Sequence, residues 1–185
     1  MIINGTEGDD VLSGTDGDDT IKGYGGDDTI SGGDGSDLID GGSGDDIIDA
    51  GLGGGNIAYG GLGDDIFAMS VVSSGLAQTT LDGGDDFDTL DFSVAGSSLY
   101  FRSVQDDPNT LTVGDNLVRT VEKFLGGSAT DIFGFTWFTT GVSAFGGAGN
   151  DSFSDGKGAD TFYGEAGDDR FHIGPGDFAS GGTGD

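Results

Sequence analysis

A nine-residue period beginning at Gly5 limits what this chain can fold into more than any other feature. Five consecutive units read GTEGDDVLS, GTDGDDTIK, GYGGDDTIS, GGDGSDLID and GGSGDDIID. Position one is Gly5, Gly14, Gly23, Gly32 and Gly41, and position four is Gly8, Gly17, Gly26, Gly35 and Gly44. Position six is Asp10, Asp19, Asp28, Asp37 and Asp46, and position eight is Leu12, Ile21, Ile30, Ile39 and Ile48. One extra residue, Ala50, precedes GLGGGNIAY, where Asn56 replaces the aspartate, and a regular unit follows from Gly60 to Ala68. The unit returns as GGAGNDSFS at 146–154, DGKGADTFY at 155–163 and GEAGDDRFH at 164–172. Looser copies are GGDDFDTLD at 83–91, with Asp86 in the fourth glycine's place, and GGSATDIFG at 126–134, with Ala129 there. A short fixed period of this kind marks a stacked solenoid.

Within a unit, the first six residues form a turn, because glycine permits positive backbone angles that other residues resist. The last three form a short strand with position eight inward and positions seven and nine outward. Two units make one eighteen-residue coil, and coils stack at the ~4.8 Å strand spacing. The expected fold is all-β, a right-handed parallel β-roll (β-solenoid). It divides into an N-terminal roll over 1–68, an irregular section of longer strands over 69–145 that continues the roll, and a C-terminal roll over 146–185. In the middle section Leu99–Val104, Leu111–Val113 and Leu117–Leu125 read as strands separated by the turn signals QDDPN and GDN. Phe133, Phe135 and Trp137 fall at every second position, which predicts another strand over 133–145. Two short rolls flanking a small β insert is the alternative arrangement. No segment has a 3.6-residue apolar period.

Composition narrows the function. The chain has 185 residues, 41 of them glycine, 34 acidic and six basic, for a net charge of −28. Collagen is excluded, because the glycines do not recur every third residue and there are two prolines. Six cationic side chains cannot form the basic face that nucleic-acid binding needs. No apolar run approaches the ~18–20 residues of a membrane span. MIINGTEGDD has neither the basic nor the apolar region of a classical signal peptide. The absence of cysteine removes disulfides and thiolate metal sites together. Only three of the acids are Glu, and a solvated acidic tail would tolerate either residue. Short carboxylates beside glycines are what tight, cation-binding turns select.

Stacking alternate loops on opposite edges places Asp10, Asp28, Asp46 and Asp65 along one edge. Asp19, Asp37 and Asn56 fall along the other. Bare carboxylates in such columns repel by ~1 to 4 kcal/mol per pair at 4 Å, for effective dielectrics of 80 to 20. A hard divalent ion resolves the conflict. Ca²⁺ accepts six to eight oxygens in irregular geometry, whereas Mg²⁺ demands a strict octahedron. One histidine and no cysteine disfavour Zn²⁺.

The unit GGxGxDxUx, with U apolar, resembles the RTX family, the hemolysin-type calcium-binding repeats of secreted bacterial proteins. The resemblance implies calcium ions as cofactor, held between same-side loops of successive coils by position-six Asp and loop carbonyls. Transferred residue by residue, the metal candidates are Asp10, Asp19, Asp28, Asp37, Asp46, Asp65, Asp151, Asp160 and Asp169. With them go the position-four glycines Gly8, Gly17, Gly26, Gly35, Gly44, Gly63, Gly149, Gly158 and Gly167, while the identity of the ligating carbonyls stays open. The pairs would be Asp10 with Asp28, Asp28 with Asp46, Asp46 with Asp65, Asp19 with Asp37, and Asp151 with Asp169, with Asp160 on the opposite edge. Asn56 weakens a site beside Asp37. Asp88 and Asp131 are weaker candidates, and position-five acids such as Asp9, Asp18, Asp27, Asp45, Asp64 and Asp168 are expected to face water. About seven to ten ions would fit, given six to eight oxygens for each.

The resemblance further implies a secreted, extracellular, non-catalytic module that folds on meeting calcium and reaches the outside through type I secretion machinery. Because the last unit stops at GGTGD, before position six, the chain reads as a piece of a longer protein. Self-association is left undetermined. An extracellular structural, adhesive or surface-layer segment is the alternative reading. An enzyme is disfavoured: His172 is the only histidine and sits at an outward position, and no GxSxG elbow surrounds a serine. An ice-binding face fails because position three reads Glu7, Asp16, Gly25, Asp34, Ser43, Leu52 and Leu62 rather than a ladder of Thr or Asn.

Overall fold

A three-residue strand with one inward apolar side chain cannot bury that side chain alone, so each unit depends on the coils above and below it. The computed structural model describes residues 1–69 and 78–184 and shows this arrangement directly. Twenty short strands and no helix occur among the described residues. They form an 11-stranded sheet and a 9-stranded sheet, between which the chain alternates through the repeats. No helix there is long and apolar enough to cross a membrane.

Register follows position eight. In the first sheet Ile3, Ile21, Ile39, Ala58, Leu81 and Val118 lie opposite one another in parallel pairs. In the second, Leu12, Ile30, Ile48, Phe67, Leu90, Phe124, Ala144, Phe162 and Ala179 do the same. These columns, inward from both sheets, make one apolar core. On the first sheet the N-terminal strands extend to six residues, as in Thr20–Gly25 and Leu38–Ser43, because pairing runs on into the following turn.

The Asn56 unit differs from its sequence reading. Leu52 bridges to Asp34, and a side chain at Gly32 would meet the Ala50 carbonyl just as one at Gly23 would meet that of Gly41. Ala50 therefore takes position one itself, and the extra residue falls later in the loop.

The middle section departs further. The strands Tyr100–Ser103, Thr110–Val113 and Asn116–Arg119 have four residues each, and their distinguishing feature is direction rather than length. Thr110–Val113 runs antiparallel to both of its neighbours, inside the first sheet. The turn signals explain it: Asp106, Asn109 and Gly114 adopt positive φ, which reverses the chain twice. Asn116–Arg119 then pairs parallel with the strand Thr80–Asp85, and Tyr100–Ser103 with Ile132–Gly134. The sheet is thus continuous from one array to the other. In place of the strand expected over 133–145 there are two, Ile132–Gly134 in the first sheet and Ser143–Phe145 in the second. Between them the chain turns, with Phe135 buried and Trp137 42% exposed.

The first sheet gains two strands over the second in this section, and phenylalanine fills the space. Phe101, Phe133, Phe153 and Phe171 stack in register at centroid separations of 4.4, 4.8 and 5.0 Å. Phe92 and Phe124 pack edge-on against Phe101, Phe135 stacks on Phe133, and Phe138 packs edge-on against Phe124 and Phe135. Phe101→Ala should destabilise the calcium-loaded roll by ~3–5 kcal/mol in denaturant titration, the usual cost of emptying a buried aromatic site. Val94→Ala, at a position 75% exposed, should stay within ~0.5 kcal/mol.

Candidate metal centres

Each position-six aspartate ends a glycine turn one residue before its strand, which places the carboxylate under the turn rather than on its rim. Asp46 is 1% exposed and Asp65 0%. Asp19, Asp28, Asp37, Asp151 and Asp160 are buried as well, and Asp10 and Asp169, near the two ends, are half-buried.

One carboxylate oxygen of each ties successive coils together. The Asp10 N–H donates to Asp28 Oδ1 at 2.8 Å, the Asp28 N–H to Asp46 Oδ1 at 2.8 Å, and the Asp46 N–H to Asp65 Oδ1 at 2.8 Å. On the other edge the Asp19 N–H donates to Asp37 Oδ1 at 2.9 Å, and the Asp151 N–H to Asp169 Oδ1 at 2.8 Å. All five aspartate pairs expected from the repeat are therefore brought together. Asp160 stands on the opposite edge, accepting from Val142 N–H and donating its own N–H to Asp177 Oδ1. At the first rung the ammonium of Met1 contacts Asp19 Oδ1 at 2.6 Å and holds its carboxyl below the usual range.

The ladder continues where the repeat is degenerate. Asp88 accepts from Asp65 N–H at 2.9 Å, and Asp131 accepts from Leu99 N–H at 2.7 Å. Glu122 takes the next rung after Asp88, accepting its N–H at 3.1 Å. Sequence reasoning missed Glu122, which lies 34 residues beyond Asp88 with nothing periodic to mark it. It also missed Asp177, although the spacing of Asp177 to Ala179 repeats that of Asp to the inward residue. Position-five acids are exposed, yet they also connect coils. Asp9 Oδ1 accepts from Asp27 N–H, Asp27 Oδ1 from Asp45 N–H, and Asp45 Oδ1 from Asp64 N–H. This outer ladder runs opposite in sense to the inner one.

The second oxygen is the informative one. In Asp28, Asp37, Asp46, Asp65, Asp88, Asp151 and Asp169, Oδ2 is buried and has no hydrogen-bond donor. A side chain at position one would collide with it and with the position-one carbonyl of the next coil: Asp28 Oδ2 and Gly41 O at Gly23, Asp46 Oδ2 and Gly60 O at Gly41. Two acceptors thus converge on a space that only glycine leaves open. A buried acceptor without a donor costs ~1–3 kcal/mol, and more when it is charged. A hard cation or a proton satisfies such a pair. The oxygen-only donor set, with backbone carbonyls and no histidine or thiolate, suits Ca²⁺. Among the described residues no three His, Cys, Asp or Glu side chains cluster as a metal group, so backbone carbonyls or water would complete any coordination shell. At Asn56 the amide supplies its own donor, Nδ2 to the Ala50 carbonyl at 2.7 Å.

The RTX calcium-binding nonapeptide repeat (4 copies) matches residues 4–39, 23–56 and 145–177. No curated protein matches the chain. The fold is a parallel β-roll, and the matched segments fall in its two arrays, which carry the carboxylate ladders; RTX repeats bind Ca²⁺.

Burial pushes the inner carboxyls up: Asp46 and Asp151 to about 6, Asp65 and Asp88 to about 7, with Asp28, Asp37, Asp131 and Glu122 raised as well. Neighbouring carboxylates of adjacent coils add to the shift at Asp46, Asp65 and Asp88. These groups hold protons more tightly in the roll than in the open chain, so protonation stabilises the roll. That stabilisation is complete below the ordinary carboxylate value of 3.8 and is lost as pH rises through about 6 to 7. In chelator, circular dichroism should show more β structure at pH 5 than at pH 8. Saturating calcium should remove the difference.

Proposed function

We propose that this chain is the calcium-responsive folding module of a secreted bacterial protein, with position-six aspartates and loop carbonyls holding the ions and with no catalytic role. The observation that carries the reading is the set of buried Asp Oδ2 atoms facing backbone carbonyls without a donor. The ion would supply positive charge between those oxygens, and the residues would supply a preformed stack that orders them. Because the oxygens converge only in the roll, binding free energy becomes folding free energy. Each ion joins neighbouring coils, so ordering spreads along the stack.

Extracellular calcium modules bind at about 10⁻⁴–10⁻³ M. On that scale the chain stays open in calcium-poor cytosol and folds outside, which suits export of an unfolded chain by type I secretion machinery. The absence of a catalytic role is supported by the site chemistry: the buried acids are committed to the ladders, and His172 lies on an outward, exposed position.

Calcium titrated into chelator-treated protein should convert a coil spectrum to a β spectrum, cooperatively and below ~10 mM; magnesium should do so poorly. A spectrum unchanged by calcium overturns the reading. Asp28→Ala, in mid-array, should raise the calcium midpoint about tenfold, equivalent to ~1.4 kcal/mol. Asp107→Ala, in an exposed turn of the middle section, should leave it unchanged.

A further inference from the structure

The position-six aspartates fall into two groups that the repeat does not distinguish. In Asp10, Asp19, Asp131 and Asp160, Oδ2 already accepts the position-two N–H of its own loop, from Thr6 at 2.6 Å, Thr15 at 2.6 Å, Gly127 at 3.0 Å and Gly156 at 2.9 Å. Asp177 Oδ2 accepts from Gly174 N–H, three rather than four residues earlier, at 2.8 Å. In the other seven loops no such donor reaches Oδ2.

Backbone conformation divides the loops along the same line. Every loop with an uncapped Oδ2 has positive φ at position two: Tyr24, Gly33, Gly42, Gly61, Gly84, Gly147 and Glu165. Each also has positive φ at position four: Gly26, Gly35, Gly44, Gly63, Asp86, Gly149 and Gly167. None of Thr6, Thr15, Gly127 or Gly156 has it, nor do Gly8, Gly17, Ala129 or Gly158. Glycine alone does not decide the state, because Gly127 and Gly156 sit in capped loops, while Tyr24, Asp86 and Glu165 take positive φ despite their side chains. Such angles cost a non-glycine residue roughly 1–2 kcal/mol.

We propose that the position-two backbone decides which loops take calcium. The seven uncapped loops, those of Asp28, Asp37, Asp46, Asp65, Asp88, Asp151 and Asp169, are ion sites, and the capped loops of Asp10, Asp19, Asp131, Asp160 and Asp177 are not.

The physical reason is occupancy of one oxygen. An N–H at hydrogen-bond distance already engages Oδ2 in a capped loop, and a cation placed there would compete with the amide for that oxygen. In the uncapped loops of Asp28, Asp46, Asp65, Asp88 and Asp151 an oxygen with no donor of its own faces the next coil's carbonyl, and a cation would satisfy both while the acid stays ionised. At Asp37 the facing carbonyl, that of Ala50, also accepts from Asn56 Nδ2. The proposal rests on the calcium reading above and narrows it. It adds a site at Asp88, outside the segments that match the RTX repeat. There the converging carbonyl comes from Thr120, which itself takes positive φ and stands where the other loops have glycine. It also removes Asp10, Asp19 and Asp160 from the repeat's own set.

Asp88 and Asp131 provide the sharpest comparison. Both are fully buried, both lack the position-four glycine, and both accept a main-chain N–H through Oδ1. Native mass spectrometry of the full chain at saturating calcium should count seven ions. Asp88→Asn should lose at least one of them, and Asp131→Asn should keep all seven. Asn56 shows how such a loop accommodates an amide. Asp151→Asn and Asp160→Asn repeat the comparison in the C-terminal array, so a folding failure in one variant leaves the other pair to decide. Equal ion loss from capped and uncapped variants overturns the proposal while leaving calcium binding intact. A wild-type chain that binds no calcium overturns the calcium reading itself.

Discussion

Two acceptors pointed at each other in a dry space govern this protein. The carboxylate oxygen of a buried aspartate and the carbonyl of the next coil cannot satisfy one another, and the geometry repeats along both edges of the roll. Everything else in the arrays serves to build that confrontation. Glycine at position one leaves room for it, the position-eight column holds the coils in register, and the Oδ1 hydrogen bonds fix each carboxylate's orientation. On the proposed reading, the arrays are well ordered only in company with positive charge, whether as metal or, at low pH, as protons.

The middle section solves the same stacking problem differently. Among the described residues, 27 hydrophobic side chains are buried in the core; 16 of them fall from Leu81 to Ala144, and two fall beyond it. Position-six rungs there include Thr79, Leu99, Asn116 and Val142, which carry no charge. Phenylalanine stacking and an antiparallel meander replace ionic cohesion with apolar burial. The two solutions meet at Asp88 and Glu122, where the acidic ladder of the N-terminal array runs into the aromatic core.

The arrays were largely legible in the sequence. A strict period identifies the strand, the inward residue and the edge on which each aspartate lies, because identical units must stack identically. Legibility failed wherever a contact depended on a neighbour out of period. Glu122 reaches its rung from the far side of the meander. The placement of Ala50 at position one required seeing which carbonyl it presents to Gly32. Phe135 and Trp137 kept a strand-like spacing through a turn, since alternation constrains side-chain direction without guaranteeing a sheet partner. Whether a loop caps its own aspartate was invisible too, because Gly127 and Gly147 are the same residue at the same position in opposite states.

The meander also alters the order in which the stack can be assembled. In the arrays each strand pairs with one about eighteen residues away, so a growing edge is always covered by the next piece of chain. Beyond Thr80–Asp85 this fails: the strand that covers it, Asn116–Arg119, arrives only after Tyr100–Ser103 has been laid two places ahead. In the first sheet the later repeats therefore build on Tyr100–Ser103, not on the earlier array. The second sheet has no such splice and runs through in chain order, so one face of the roll extends strand by strand while the other must close around a hairpin.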